Sequence, residues 1–247
     1  MCGLFGGIYN PDVSIIRALA IANRERGTDS LGFFDSRGKR IRRADDPLFI
    51  LPDFADFLNE KHWFIAGHTR AATRGATTEK NAHPFRYGRY IGAHNGIVSA
   101  PESYSVDSEY LIDLLNQFDG DYQTAFADVS GYWGLAWFDG AELFLQSHKN
   151  EIAVGRVKGS YYYSSDWQHL AACVDCDEEF LLSDGATVKF DCKGNCIDLP
   201  NFVSAMPLFA NKGDWLEEDW DAKDWDKEWD KRDEFYNAYD QYAKDFQ

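Results

Sequence analysis

Short apolar runs bounded by polar residues dominate the chain, and two longer stretches carry a helical pattern. From Asn10 to Gly27 ("NPDVSIIRALAIANRERG") the pattern predicts a helix. Ile16, Leu19 and Ala20 begin an apolar stripe, Asn10 can cap it, Pro11 suits the first helical position and Gly27 can end it. "DSEYLIDLLNQF" predicts a second helix, capped by Asp107 or Ser108. "HWFIAGHTRAAT" and "RYIGAHNGIV" predict buried strands that end in polar residues. "GYWGLAWFDG", "AELFLQSHK", "SYYYSSD" and "ATVKFDC" then follow as strands in hairpin succession. Because no strand–helix unit repeats, a parallel doubly wound sheet is disfavoured and a mixed α/β (α+β) class is expected. No glycine loop of the dinucleotide or Walker type is present, so no nucleotide site is indicated.

Bulk properties narrow the function. The 247 residues suffice for one large domain or two small ones, and the 45% apolar content is ordinary for a soluble globular protein. A net charge of −16 argues against nucleic acid or an anionic membrane surface as primary partner. There is no run of about 18 apolar residues and no basic-then-apolar leader, so the expected compartment is the cytoplasm, or the host cytoplasm if the source is viral. The charge is uneven. From Asp214 to Gln247 there are thirteen Asp or Glu against five Lys or Arg, with Trp215, Trp220, Trp225 and Trp229 among them. This division predicts a globular domain over 1–206 and an acidic, Trp/Tyr-rich tail over 207–247. Trp225, Trp229, Tyr236, Tyr239 and Phe246 approximate helical spacing. The tail therefore reads as a helix packed on its own domain, as a docking helix for a partner protein or another subunit, or as disordered chain.

Four separated stretches bear chemistry: "MCGLFG", "RGTDSLG", "GHTRAATRG" and "AHNGIV". Removal of Met1 would give Cys2 a free α-amino group beside its thiol, a base and a nucleophile on one residue. Asn95 offers an amide N–H, and Gly96 an unhindered backbone N–H, to a developing oxyanion. Arg70 has the planar fork that suits a carboxylate. Asp107, at a helix start, suits an ammonium group. Together these describe a site for the α-carbon end of an amino acid beside a thiol nucleophile. The plain alternatives are an inert terminal cysteine and a structural Arg70–Asp107 ion pair.

The same stretches resemble the glutaminase domain of the class II glutamine amidotransferases, which are N-terminal-nucleophile hydrolases. The matching segments are Cys2 to Gly6, Arg26 to Gly32, Gly67 to Gly75, "NAHP" (Asn81 to Pro84), His94 to Gly96 and Asp107 to Glu109. "GYWGLAWFD" and "SHKNEIAVGRVKGSYYYSSD" resemble later family segments, so the likeness covers roughly residues 1–200. The resemblance implies a four-layer αββα sandwich with two antiparallel sheets. It implies that Cys2 attacks the side-chain amide of glutamine, forming a thioester and releasing ammonia for a separate acceptor enzyme. Asn95 and Gly96 would form the oxyanion hole, Arg70 would bind the α-carboxylate and Asp107 the α-ammonium. Thr73 and His83 would line or support the pocket, and "RGTDSLG" would shape the loop over it. No cofactor is required for this chemistry. Ala71 departs from the family's usual aromatic residue, and Arg74 from its usual His or small polar residue. The first departure makes another γ-glutamyl compound the alternative substrate. A non-catalytic structural or interaction protein is the alternative of a different class.

The other four cysteines pair as C-x2-C (Cys173, Cys176) and C-x3-C (Cys192, Cys196), fifteen residues apart. The spacing fits a structural zinc site with four thiolates, and "DCKGNC" reads as a hairpin turn. Ordinary reduced thiols and disulfides are the alternatives.

Overall fold

The computed structural model describes residues 2–203. In chain order the elements are β1 (Gly3–Ile8), α1 (Val13–Asn23), β2 (Ser30–Asp35), β3 (Arg40–Arg43), α2 (Pro47–Ile50), α3 (Ala55–Leu58) and β4 (Phe64–Arg70). They continue with β5 (Phe85–Tyr87), β6 (Tyr90–Val98), α4 (Asp107–Gln117), α5 (Tyr122–Ala125), β7 (Gly131–Phe138), β8 (Leu143–His148) and β9 (Ile152–Val157). The last are β10 (Ser160–Ser164), α6 (Trp167–Cys173), β11 (Glu178–Leu182), β12 (Thr187–Phe190) and β13 (Cys196–Leu199). Two antiparallel sheets result. One has the order β11-β9-β10-β1-β4-β2-β3 and the other β13-β12-β8-β7-β6-β5.

Alternation along each strand assigns the faces, because successive side chains point to opposite sides. Leu4 and Ile8 of β1, Phe64 and Ala66 of β4, Ile91 and Ala93 of β6, and Ala136 and Phe138 of β7 share one core between the two sheets. The opposite residues of the second sheet, Trp133, Leu135 and Trp137, pack with Leu111, Ile112 and Leu115 of α4 in a second core. Trp133 is fully buried, and its indole N–H donates to Gln146 Oε1 at 2.9 Å. Truncating it to Ala would cost about 3–5 kcal/mol and strand that acceptor. On the first sheet the outer face is covered by α1 and α6, with Phe33 edge-on to Phe5 and to Phe54. The layer order is therefore αββα, as the resemblance implies.

Gly3 shows why α1 can lie so close to the sheet. A Cβ there would stand 2.6 Å from Asn23 Oδ1 and from Thr69 Oγ1. Asn23 is the buried last residue of α1, and its carbonyl accepts from the Thr69 hydroxyl at 2.6 Å.

Three local expectations change. The cap of α1 is Asp12, whose side chain accepts from Ser14 N, while Asn10 sits at positive φ in the preceding turn. Asp107 is the first helical residue of α4, with Val106 at the cap position; its carboxylate accepts from the N–H groups of Ser108 and Val98. Half of "RGTDSLG" is not loop at all: Ser30 to Gly32 open β2, an interior strand paired with both β3 and β4. The tail over 207–247 lies outside the described residues. Among the described residues, no helix is long and apolar enough to cross a membrane.

Candidate active site

Strand alternation also builds the site. Cys2 precedes β1 on the side of Leu4 and Ile8. His68 and Arg70 continue the inward series of Phe64 and Ala66, and Asn95 continues that of Ile91 and Ala93. All four belong to the inter-sheet faces. Pairing of Gly3 with Thr69 brings Cys2 beside Arg70 at one end of the first sheet. A hydrogen bond between the sheets fixes the facing strand: His68 Nε2 donates to the His94 carbonyl at 3.0 Å. The residue after His94 is Asn95.

The backbone of Cys2 is held firmly. Arg26 Nε donates to the Cys2 carbonyl at 2.8 Å while its Nη1 pairs with Asp166 at 2.7 Å. Asp29 accepts from Ala72 N at 2.7 Å and donates its own N–H to the Arg70 carbonyl at 2.9 Å. The thiol of Cys2 lies 3.5 Å from the Ala71 carbonyl. Arg26 and Asp29 thus tie the 71–76 loop and Cys2 to neighbouring chain.

Arg70 is 2% exposed, and its guanidinium donates to the carbonyls of Arg74 at 2.6 Å and Ala76 at 3.3 Å. Arg74 in turn donates to the carbonyls of Ala100, Pro101 and Tyr104. The departure at position 74 therefore fastens the 71–76 loop to the chain preceding α4. Thr73 stands exposed on that loop. Arg70 and Asp107 form no ion pair with each other, yet both charges act on the Cys2 thiol, Arg70 lowering its pKa and Asp107 raising it. Burial outweighs the attractions and pushes the thiol above its ordinary value, so it is protonated at neutral pH.

Asn95 is 3% exposed, and its Nδ2 is buried with no protein acceptor. A buried amide donor without a partner costs about 1–3 kcal/mol, so the site holds a donor in reserve. Gly96 has φ +146°, and a Cβ there would stand 2.1 Å from the Tyr132 carbonyl, so only glycine fits.

Three histidines lie buried alongside. The rings of His68 and His83 are 3.7 Å apart, and His94 Nδ1 is 2.9 Å from Ser108 Oγ. Burial lowers all three, His68 to about 3 and His83 well below the usual imidazole range. His83 packs between His68 and Phe85. With its pKa lowered to about 3, His68 is neutral, and the His94 carbonyl fixes its proton on Nε2.

The four-thiolate zinc expectation finds no support. Among the described residues, no group of three or more His, Cys, Asp or Glu is arranged to hold a metal. Cys173 ends α6, which packs on β9 and β10 of the first sheet, and Cys176 Sγ lies against Gly155 of β9. Cys192 and Cys196 sit in and after the β12–β13 turn of the other sheet. All are free. The hairpin turn itself is present, but the C-x2-C pair belongs to a different layer.

No protein-family profile matches the chain. The glutamine–fructose-6-phosphate aminotransferase (isomerizing) of Rhizobium meliloti strain 1021 is 28% identical over 252 residues, covering 86% of this chain and 40% of that protein. The enzyme of the same name from Streptococcus pyogenes serotype M6 is 24% identical, covering 84% and 40%. Among solved structures, the glutamine phosphoribosylpyrophosphate amidotransferase of B. subtilis superposes with a TM-score of 0.65 at 16% identity, covering 80% of this chain and 49% of that one. The chain is thus similar in sequence to glutamine–fructose-6-phosphate aminotransferases and in fold to glutamine amidotransferases. It spans about two fifths of the length of the curated relatives it matches. A glutamine aminotransferase class-II domain protein from Silicibacter pomeroyi is matched over its whole length, with a TM-score of 0.54, 16% identity and 83% of this chain covered. The class II amidotransferase resemblance read from the motifs thus holds for sequence and fold alike.

Three contributors escaped the sequence analysis: the Ala71 carbonyl, Ser108 and Asn150, whose Nδ2 donates to the Asn95 carbonyl at 2.7 Å. Their signals were a backbone atom, a helix-start serine and a turn asparagine, none distinctive in a linear chain.

Proposed function

We propose that the protein hydrolyses the side-chain amide of glutamine and releases ammonia to a separate acceptor enzyme. The observation that carries this reading is that an arginine at the end of β4 and a carboxylate at the start of α4 both act on Cys2, beside a buried amide donor left without a partner.

The chemistry follows from the groups present. The thiol is protonated at neutral pH, so attack needs a base at the sulfur. The buried histidines are poor candidates, since His68 is already committed as a donor. Removal of Met1 would create an α-amino group on Cys2 itself, with an ordinary pKa of about 7.7–8.0. That amine takes the thiol proton as sulfur attacks the amide carbon. Asn95 Nδ2–H and Gly96 N–H receive the charge that develops on oxygen. The amine then protonates the leaving nitrogen, ammonia departs, and water cleaves the thioester to give glutamate. Arg70 binds the α-carboxylate and Asp107 the α-ammonium, which fixes the amide over the sulfur. Thr73 and His83 take supporting roles at the loop and beneath the site. None of these steps asks for a metal or organic cofactor.

Ala71 favours a second substrate reading. Its small side chain takes the place of the family's usual bulk beside Arg70, so a γ-glutamyl compound larger than glutamine would be admitted. The test is ammonia release from glutamine, with γ-glutamyl peptides in parallel, by protein whose intact mass shows Met1 removed. Activity is expected from the wild type and none from Cys2→Ala. If both are equally inert on every substrate, the enzymatic reading falls and an interaction scaffold remains.

A further inference from the structure

We propose that Asn150 is a positioning residue that aims the Gly96 N–H at the oxyanion, an inference that rests on the glutaminase reading above. A trans peptide is planar, with its C=O and N–H pointing in opposite directions. The carbonyl of Asn95 and the N–H of Gly96 belong to one such peptide. Asn150 Nδ2 grips that carbonyl at 2.7 Å. Fixing one end of the plane fixes the other. The need is sharp at this peptide, because Gly96 sits at φ +146°, where glycine has little rotational preference of its own.

Asn150 is itself well held. It lies between β8 and β9, where the chain crosses from one sheet to the other. Its carbonyl accepts from Ser147 Oγ at 3.1 Å, and the neighbouring Lys149 N–H donates to Asp184 at 2.8 Å. It stands 55 residues from Asn95 and only half-buried, so its amide serves no core of its own. A donor is required here, since the partner is a carbonyl. Asn150→Asp would keep the shape, remove the donor and set a negative charge against the developing oxyanion. Asn150→Gln keeps the donor on a longer arm.

The experiment has two arms. In the first, glutamine hydrolysis is measured for Asn150→Ala, Asn150→Asp and Asn150→Gln. Loss of an oxyanion donor outright costs about 10²- to 10³-fold in kcat, so mis-aiming it should cost Asn150→Ala roughly 10- to 100-fold with KM nearly unchanged. Asn150→Asp should lose more, and Asn150→Gln should recover part of the rate. A rise in KM at unchanged kcat, or unaltered kcat in both Ala and Asp variants, would overturn the proposal. In the second arm, the Gly96 amide is followed by NMR in ligand-free protein. Its resonance should move, and its hydrogen exchange quicken, in Asn150→Ala. An unmoved Gly96 amide overturns the proposal whatever the activity. A wild type inert on glutamine would refute only the glutaminase reading, and the second arm would still decide whether Asn150 sets this peptide.

Discussion

The buried histidines predict how the protein fails in acid. His68 has its pKa held at about 3 by burial, with the neighbouring His94 acting in the same direction. In the unfolded chain it titrates near 6.5. Between these values the unfolded chain binds a proton that the folded protein refuses. Stability is therefore full above about pH 6.5 and falls as the pH drops below it. At pH 5 the cost for His68 alone is about 2 kcal/mol, from 1.36 kcal/mol per unit over roughly one and a half units. His83 and His94 are shifted in the same direction and add to it. The lowered carboxylates Asp35, Asp46 and Asp166 contribute stability above their unfolded pKa, and that is lost only as the pH falls further. The window from pH 7.5 to 5 thus isolates the imidazoles. Urea unfolding at half-unit steps across it should show a steadily falling midpoint. His68→Gln keeps a donor at the place of Nε2 and removes the titrating group, so its midpoint should fall less steeply. A wild-type midpoint independent of pH in this window, or equal slopes for the two proteins, would refute the reasoning.

Other outcomes follow from the site. Arg70→Lys loses the planar fork, about 1.5–3 kcal/mol of charged hydrogen bonding, and should raise KM for glutamine roughly 10- to 150-fold with the circular dichroism spectrum unchanged. Asn95→Ala should cut kcat by about 10²- to 10³-fold at similar KM; a variant within twofold of wild type in kcat would remove Asn95 from the oxyanion hole. Gly96→Ala should lower the melting temperature as well as activity, because its Cβ meets the Tyr132 carbonyl at 2.1 Å. Zinc should be substoichiometric in purified protein, and chelators should leave the melting temperature unmoved, since one cysteine pair lies at the end of α6, against the first sheet, and the other at the β12–β13 turn of the second.

Much of the site was legible because its residues fall in short motifs at strand ends. Cys2 precedes the apolar run of β1, Arg70 ends that of β4, and Asn95 and Gly96 interrupt that of β6; alternation gives Cys2, Arg70 and Asn95 the inter-sheet face without any long-range information. The helix caps were less legible. Asn10 and Asp12 are both good capping residues two positions apart, and the choice fell to Asp12 because its carboxylate reaches Ser14 N. Asp107 has a capping residue's composition, but the Val98 N–H on β6 draws its carboxylate into the site. The C-x2-C and C-x3-C spacing suggested a metal because each pair is local, whereas the distance between pairs is not.

The sequence by itself determined the strand and helix pattern, the faces on which the candidate site residues lie, and the order of the motifs that resemble the class II amidotransferases. These depend on neighbours within a few residues, where steric and periodic rules act directly. Only the tertiary structure decided which faces meet. The His68–His94 bond across the sheets, the Asn150 grip on Asn95 and the separation of the four thiols are contacts between residues distant in the chain. They are set by how two twisted sheets stack and where the chain crosses between them, and no local propensity encodes that.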